Sequence, residues 1–225
     1  MSRFLVVGDA ILDVTVAPSR PLRPGGDVPA VIRLGPGGQG ANVAVRLARR
    51  GERARLLAPI AADAGGRLLR EALAADGVDI SPVAAARTAV VVALLDAGGE
   101  RTMLSDRQTV APDDLARARD GADWIHVSCY ALLDEANGDD LARSLGERDA
   151  RARLSLAGGS IPPEPAVVDR FLGRVAAARP DLIVVSREEA AALLGRPAEM
   201  ARDAARRLAD RAPIVIVTAG SAGSA

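Results

Sequence analysis

Glycines cluster in the segment Gly35-Pro36-Gly37-Gly38-Gln39-Gly40, which leads directly into Ala41-Asn42-Val43-Ala44-Val45-Arg46-Leu47-Ala48. Apolar residues recur at helical spacing after these glycines, which predicts a helix over residues 41–50, and a strand pattern at residues 28–34 precedes them. Because Gly37 and Gly38 carry no Cβ atom, their amides can approach a bound hydroxyl or phosphate closely. This junction of strand and helix is therefore predicted to contact a ligand.

The same glycines satisfy the spacing Gly-x-Gly-x-x-Gly, which is also that of a dinucleotide-binding turn. Such a turn needs an acidic residue about 20 positions further on, at the end of the next strand. The next predicted strand, 56–60, ends at Pro59-Ile60 without an acid. A dinucleotide-dependent oxidoreductase is thus a hypothesis that rests on residues 35–40 alone.

Strand and helix patterns alternate along most of the chain, which predicts a parallel sheet with helices on both faces. The predicted strands are 4–7, 56–60, 124–128, 152–156, 182–185 and 214–217, and the predicted helices are 41–50, 66–75, 112–119, 139–148, 165–178, 188–194 and 200–209. Two segments, about 14–34 and 88–104, contain strand pairs without helices. We expect these two segments to pair with each other as a small β-sheet lid that projects from an α/β core.

The composition excludes several classes of function. The 29 basic residues balance the 29 acidic ones, whereas a general nucleic-acid or anionic-membrane binder would normally carry a basic excess. The sequence contains no lysine, so a P-loop, a Schiff base and a pyridoxal phosphate anchor are excluded. One cysteine and one histidine exclude disulfide frameworks and His-rich metal clusters. The first nine residues become acidic too early for a signal peptide, so a cytoplasmic protein is expected.

Asp9 and Asp13 follow the first predicted strand. Ligands of open α/β sheets bind at the carboxyl ends of strands, so a carboxylate here could accept hydrogen bonds from sugar hydroxyls. The alternative is a turn aspartate that caps backbone amides, and Asn42 could likewise cap its helix or bind the same ligand. His126 lies inside an apolar strand and is predicted to be a core residue, whereas Tyr130 is a candidate pocket wall.

Taken together, these segments resemble the ribokinase-like (PfkB) carbohydrate kinases over essentially the whole chain. Six motifs in the order and spacing of that family carry the resemblance: Gly8-Asp9-Ala10-Ile11-Leu12-Asp13; Gly37-Gly38-Gln39-Gly40-Ala41-Asn42 with Leu47-Ala48-Arg49-Arg50-Gly51; Asp63-x-x-Gly66 with Gly77-Val78-Asp79; Thr88 with Gly99-Glu100-Arg101-Thr102; Ser186-Arg187-Glu188-Glu189; and Val217-Thr218-Ala219-Gly220-Ser221-Ala222-Gly223. The resemblance implies a three-layer α/β/α core with a mostly parallel sheet and a projecting lid. Residues 1–225 would form one kinase domain, without the C-terminal part of the fold.

The resemblance also implies an activity, which is ATP- and Mg²⁺-dependent phosphorylation of a primary hydroxyl of a sugar or related small molecule. The positions that match the family's acceptor site are Asp13, Gly37, Gly38 and Asn42, and those that match its nucleotide site are Ser186, Glu189, Thr218 and Gly220. Glu189 matches the residue that organises Mg²⁺ through water. Phosphate charge is met in this family without a P-loop lysine, by Mg²⁺ and the amides of a helix N-terminus.

The sequence departs from the family's pattern in four places. Gln39 stands where many members have lysine, Ser186 stands where asparagine is usual, and Ala157 stands where members commonly have aspartate. The family's catalytic base is an aspartate in a Gly-Ala-Gly-Asp segment, which does not occur in these 225 residues. The base is expected beyond Ala225, so residues 1–225 are expected to bind sugar weakly and ATP poorly, and to show no sugar-dependent ADP release.

Two alternatives within the same fold are a non-catalytic sugar- or nucleotide-binding protein and a nucleoside kinase. The absent base and Ser186 favour the first of these. The expected partners are a small-molecule sugar or nucleoside and, through the exposed edges of the lid, a second copy of the chain. No nucleic acid or membrane partner is expected.

Overall fold

A computed structural model describes residues 2–81, 83–198 and 200–225. Seven parallel strands form a central sheet in the order β11-β10-β9-β8-β1-β4-β5, and four further strands form a second sheet in the order β3-β2-β6-β7. The strands are β1 Arg3–Val7, β2 Ile11–Pro18, β3 Ala30–Gly37, β4 Arg53–Leu57, β5 Asp79–Ser81, β6 Val90–Leu95, β7 Arg101–Asp106, β8 Trp124–Ser128, β9 Arg153–Ala157, β10 Leu182–Ser186 and β11 Ile214–Thr218. The predicted α/β core with a projecting lid is confirmed.

Eight helices connect these strands within the described residues. They are α1 Gln39–Arg49, α2 Ala64–Ala75, α3 Pro112–Ala118, α4 Cys129–Leu133, α5 Gly138–Gly146, α6 Pro165–Ala178, α7 Arg187–Leu194 and α8 Ala201–Arg207. None of the helices in the described ranges is long and apolar enough to cross a membrane.

The central strand β1 is buried on both faces, which is why its sequence is a continuous apolar run. Leu5 and Val7 face one core cluster, on the side of the sheet that helices α3–α8 cover. Val6 faces the other cluster, which packs against α1 and α2. Packing on both faces holds β1 in place between the two layers of helices and thereby positions the loop that follows it.

The four-stranded sheet is the predicted lid, and its strands span residues 11–37 and 90–106 where about 14–34 and 88–104 were predicted. Its two hairpins, β2–β3 and β6–β7, are antiparallel, and β2 joins them by parallel pairing with β6. Because β2 begins at Ile11, Asp13 belongs to a lid strand and not to the loop after β1. Asp13 pairs in register with Gly35 on one side and Val91 on the other.

Three elements differ from the sequence prediction. The strand expected at 56–60 is β4, Arg53–Leu57, because pairing with β1 starts at Arg53 and Pro59 lacks the amide that would continue a ladder. The start of this strand is not an apolar run, because arginines occupy its alternate positions 53 and 55. The short strand β5 and the single-turn helix α4 were not predicted, because neither is long enough to show a period.

Candidate active site

Two of the predicted acceptor residues, Asp13 and Gly37, meet where β2 pairs with β3. A Cβ atom on Gly37 would lie 2.0 Å from Oδ2 of Asp13, so only glycine leaves room for this carboxylate. Asp13 is half-buried, and its pKa is raised chiefly by burial and further by the negative charge of Asp9, while Arg107 opposes the rise. The carboxylate of Asp13 is thus half-buried beside a glycine backbone that has no side chain. Such a carboxylate can accept hydrogen bonds from the hydroxyl groups of a ligand.

Gly38 begins helix α1 in a backbone conformation that only glycine adopts easily, with φ at 100°. A Cβ atom here would lie 2.4 Å from the carbonyl oxygen of Asp9. Gly38 therefore lets the start of α1 approach the loop after β1. The side chain of Asp9, 5% exposed, completes this contact because its Oδ1 accepts from the amides of Gln39 at 2.9 Å and Gly40 at 3.3 Å.

Replacing Gly38 by alanine should lower the free energy of unfolding by more than about 1 kcal/mol. An alanine is strained at this positive φ, and its Cβ would clash with the backbone carbonyl of Asp9. Gly173 is the matched control. It lies inside α6 with nothing within 4 Å of its added Cβ, so Gly173→Ala should stabilise by about 0.5–1 kcal/mol. Urea unfolding of both variants measures the difference, and equal stabilities would contradict this account of Gly38.

Asp9 caps the N-terminus of α1, which is the alternative that sequence reasoning left open for it. Its second oxygen, Oδ2, forms an ion pair with Arg107, the first residue after lid strand β7. The guanidinium of Arg107 also lies 3.9 Å from the centre of the Tyr130 ring. Arg107 thus joins the lid to the core, and only its place directly after a lid strand marks it in the sequence.

Tyr130 lies on this edge of the sheet, as expected for a pocket wall, although it belongs to helix α4 and not to a loop. With Asp9, Arg107 and Leu133 it lines a cavity of about 160 Å³. Its hydroxyl group bonds Ser160 in the loop after β9, 3.1 Å from both the amide and Oγ. The cavity opens between the lid exit and the core.

Asn42 stands in the first turn of α1 with an exposed side chain, and its backbone amide donates to the carbonyl of Gly38 at 3.0 Å. It does not cap the helix, because the capping position is Gly38. Asn42 and Gly37 both line a cavity of about 500 Å³ between α1 and α2. The side chain of Asn42 is free to bind a ligand near Gly37.

Ser186 and Glu189 form a reciprocal capping box at the start of α7. Oε2 of Glu189 accepts from the amide of Ser186 at 2.6 Å, and Oγ of Ser186 accepts from the amide of Glu189 at 3.1 Å. Burial raises the pKa of Glu189, and the bond from Ser186 opposes the rise. Gly158 leaves space for this carboxylate, since an added Cβ would lie 1.9 Å from Oε2.

Thr218 and Gly220 follow at the end of β11. Thr218 is exposed, and its hydroxyl donates to the carbonyl of Val185 at 3.4 Å. Gly220 begins a single 3₁₀ turn with φ at 56°. This turn presents backbone amides at the same edge of the sheet as the capping box.

The two halves of the predicted site lie along one edge of the sheet but not together. Carboxyl ends of parallel strands share an edge, and β10 and β11 are three and four strands away from β1. At about 4.8 Å per strand, the ends of β10 and β11 lie about 14–19 Å from the end of β1. This spacing suits two ligands bound side by side.

Two other single residues are placed as expected. Burial lowers the pKa of His126 to about 4, and its Nδ1 lies 2.9 Å from Oγ of Ser155, so it is a satisfied core residue. Cys129 is buried, and burial raises the pKa of its thiol, which makes it unreactive. Across residues 2–81, 83–198 and 200–225, no group of three His, Cys, Asp or Glu side chains could hold a metal ion.

Comparison with known proteins gives a consistent result. All of residues 1–225 match the family model described as pfkB family carbohydrate kinase. A fructokinase of Klebsiella pneumoniae is 30% identical over 243 aligned positions, which cover 98% of this chain and 72% of that protein. A fructokinase of Vibrio alginolyticus is 27% identical, with 99% of this chain and 72% of that protein covered.

Solved structures share the fold. A ribokinase from Giardia lamblia superposes with a TM-score of 0.82 at 16% identity, covering the whole of this chain and 76% of that one. A carbohydrate kinase from Agrobacterium tumefaciens gives a TM-score of 0.76 at 24% identity, covering 98% and 71%. Through its sequence match over every residue, this chain belongs to the pfkB family of carbohydrate kinases.

Proposed function

We propose that this chain binds a sugar at Asp13 and serves ATP- and Mg²⁺-dependent transfer of a phosphoryl group to a primary hydroxyl of that sugar. The observation that carries the proposal is the carboxylate of Asp13 held against the bare backbone of Gly37. Such a pair can accept hydrogen bonds from sugar hydroxyls while the backbone packs against the sugar ring. Gly38 and Asn42 complete the acceptor side.

The nucleotide side is proposed at Ser186, Glu189, Thr218 and Gly220. A single half-buried carboxylate cannot hold a metal ion alone, but Mg²⁺ usually keeps several waters and binds one or two carboxylates together with substrate phosphates. Burial raises the pKa of Glu189, and a cation bound nearby would lower it. Glu189 fits Mg²⁺ through water, and when bound the ion would neutralise phosphate charge.

The lid contributes by excluding water. Asp13 lies on a lid strand, so the sugar would be bound by the same element that covers it. Water held out of the site cannot accept the phosphoryl group in place of the sugar. The described residues provide orientation and exclusion, and no residue of this chain is assigned as the base.

Fructose is the first sugar to test, because the relatives described above are fructokinases. Calorimetric titration with D-fructose, other hexoses, pentoses and adenosine, each with and without MgATP, tests the proposal. Binding of a sugar in preference to adenosine supports it. Tight binding of adenosine alone would favour a nucleoside kinase instead.

A non-catalytic binding protein is the second candidate, and the capping box favours it. In that box Glu189 already accepts a hydrogen bond from its own helix start. A titration in which sugar binds and MgATP does not, combined with an absence of sugar-dependent ADP release, would select this candidate.

A second copy of the chain is the partner we propose for the lid. On the lid face opposite Asp13, the strands align two rows of side chains that are apolar apart from Thr102. These rows are Leu34–Val14–Val92–Leu104 and Ile32–Val16–Leu94–Thr102. Leu34, Ile32 and Leu104 are 55–61% exposed. Because these two rows carry no charged side chain, they complement the same rows of a second copy, and sedimentation velocity of the parent against Leu34→Glu should show a dimer that the variant loses. A monomeric parent would contradict the proposal.

A further inference from the structure

Asp63 joins the lid to the core and is not among the residues proposed to touch either ligand. It lies directly before helix α2, and its Oδ1 accepts from the amide of Gly66 at 2.8 Å. The same carboxylate also accepts twice from Thr88, from Oγ1 at 2.6 Å and from the backbone amide at 2.8 Å. Thr88 is buried and lies two residues before lid strand β6.

The hydrogen bonds continue from this junction to the acceptor carboxylate. Ala89, the next residue after Thr88, accepts at its carbonyl from the amide of Leu12 at 2.9 Å. Leu12 precedes Asp13 in β2, and the two strands then pair in register, with Asp13 opposite Val91. The position of Asp13 is thus fixed by a strand whose own entry into the lid is held by Asp63.

The backbone of Gly66 is packed tightly against Ala61 and Thr88 at this junction. A Cβ atom on Gly66 would lie 1.9 Å from the carbonyl oxygen of Ala61 and 2.9 Å from Oγ1 of Thr88. The three hydrogen bonds hold the pKa of Asp63 at about 2, so the carboxylate stays charged near neutral pH. A charged acceptor strengthens each of these bonds.

We infer that Asp63 and Thr88 are positioning residues for sugar binding. Their hydrogen bonds hold the start of lid strand β6, and the pairing of β6 with β2 then fixes the position of Asp13 relative to the core. Neither residue is among those that would touch the sugar. The effect on sugar affinity rests on the proposed sugar site. The link between Thr88 and Leu12 depends only on the hydrogen bonds described above.

Thr88→Val tests the inference, because valine keeps the shape of threonine and removes the hydroxyl donor. We expect sugar affinity to fall about 10-fold or more, as for loss of one hydrogen bond to a charged group. We also expect the amide of Leu12 to exchange hydrogen faster, measured by NMR. Thr88→Ser restores the donor and should return both quantities close to the parent values.

Ser19→Ala is the matched control, since Ser19 is exposed in the loop after β2, loses a hydroxyl group in the same way and lies outside this chain of bonds. It should behave as the parent in both measurements. If Thr88→Val lowers only the melting temperature and leaves sugar affinity unchanged, the residue is structural and the inference is wrong. Should Thr88→Val not fold, Asp63→Asn takes its place with the same readouts.

The two proposals fail in different ways. If the parent binds no sugar, the proposed function fails, and amide exchange then decides the inference by itself. Faster exchange of Leu12 in Thr88→Val, with helix α6 unchanged, supports the link. Exchange of Leu12 at the parent rate overturns it.

Discussion

Replacing Asp13 by alanine is expected to weaken sugar binding by about 2–5 kcal/mol while leaving MgATP affinity near that of the parent. The range is that for removing one partner of a buried charged hydrogen bond. Because Asp13 is half-exposed in the free protein, the lower end is the better expectation. The nucleotide side lies at the ends of β10 and β11, which do not pair with the lid strand of Asp13, and it keeps all of its contacts.

Two further variants separate charge from shape at this site. Asp13→Asn keeps the volume and should still weaken binding, whereas Asp27→Asn, in the exposed loop between β2 and β3, should change nothing. Sugar affinity of the parent should fall as the pH drops, because a protonated Asp13 accepts fewer hydrogen bonds. Since its pKa is raised, the loss should begin at a higher pH than for an ordinary aspartate. If the parent and Asp13→Asn bind the sugar with equal affinity, the assignment of Asp13 to the sugar site is wrong.

Replacing Glu189 by glutamine should weaken Mg²⁺-dependent ATP binding about 10–100-fold, which is the usual effect of losing a group that acts on a metal through its outer shell. Sugar affinity should stay at the parent value. Glutamine can still accept the bond from the amide of Ser186, so the capping box and helix α7 are expected to persist. A loss of MgATP affinity in this variant would then be caused by the missing negative charge of Glu189 and not by a change of fold.

Glu188→Gln is the control for this measurement. Glu188 is adjacent, exposed and close to Arg187, so its replacement by glutamine removes the same charge from the same helix turn. Calorimetric titration of ATP with and without Mg²⁺ compares the two variants. If Glu189→Gln binds MgATP as well as the parent does, the segment from Ser186 to Glu189 is only a helix start.

Much of the fold followed from local patterns. Helix α6 and strand β8 have the bounds that the sequence predicted, because each combines a clear period with a sharp stop. The lid was predicted from two segments that interrupt the alternation of strands and helices. The first predicted lid segment ends at residue 34, three residues short of the end of β3, because Gly35, Pro36 and Gly37 signal a turn, although here they continue an antiparallel strand that pairs with β2.

The site was predictable only in part, because contacts between distant residues decide it. Gly37 and Asp13 were singled out separately, and the tight fit between them appears only when β2 pairs with β3. Asp9 was read as either a ligand contact or a cap, and tertiary structure makes it a cap. Arg107 carried no signal of its own, since its partners Asp9 and Tyr130 are 98 and 23 residues away and on other elements.

The central claim is that one edge of the sheet holds a sugar at one end and a nucleotide at the other. Backbone NMR shifts of the parent, recorded during titration first with the sugar and then with MgATP, test this claim directly. The sugar should shift the amides of Asp13, Gly37 and Gly38, and MgATP should shift those of Glu189 and Gly220. Shifts from both ligands at a single end, or in the cavity wall at Arg46 and Ala72 without Gly37, would contradict the account.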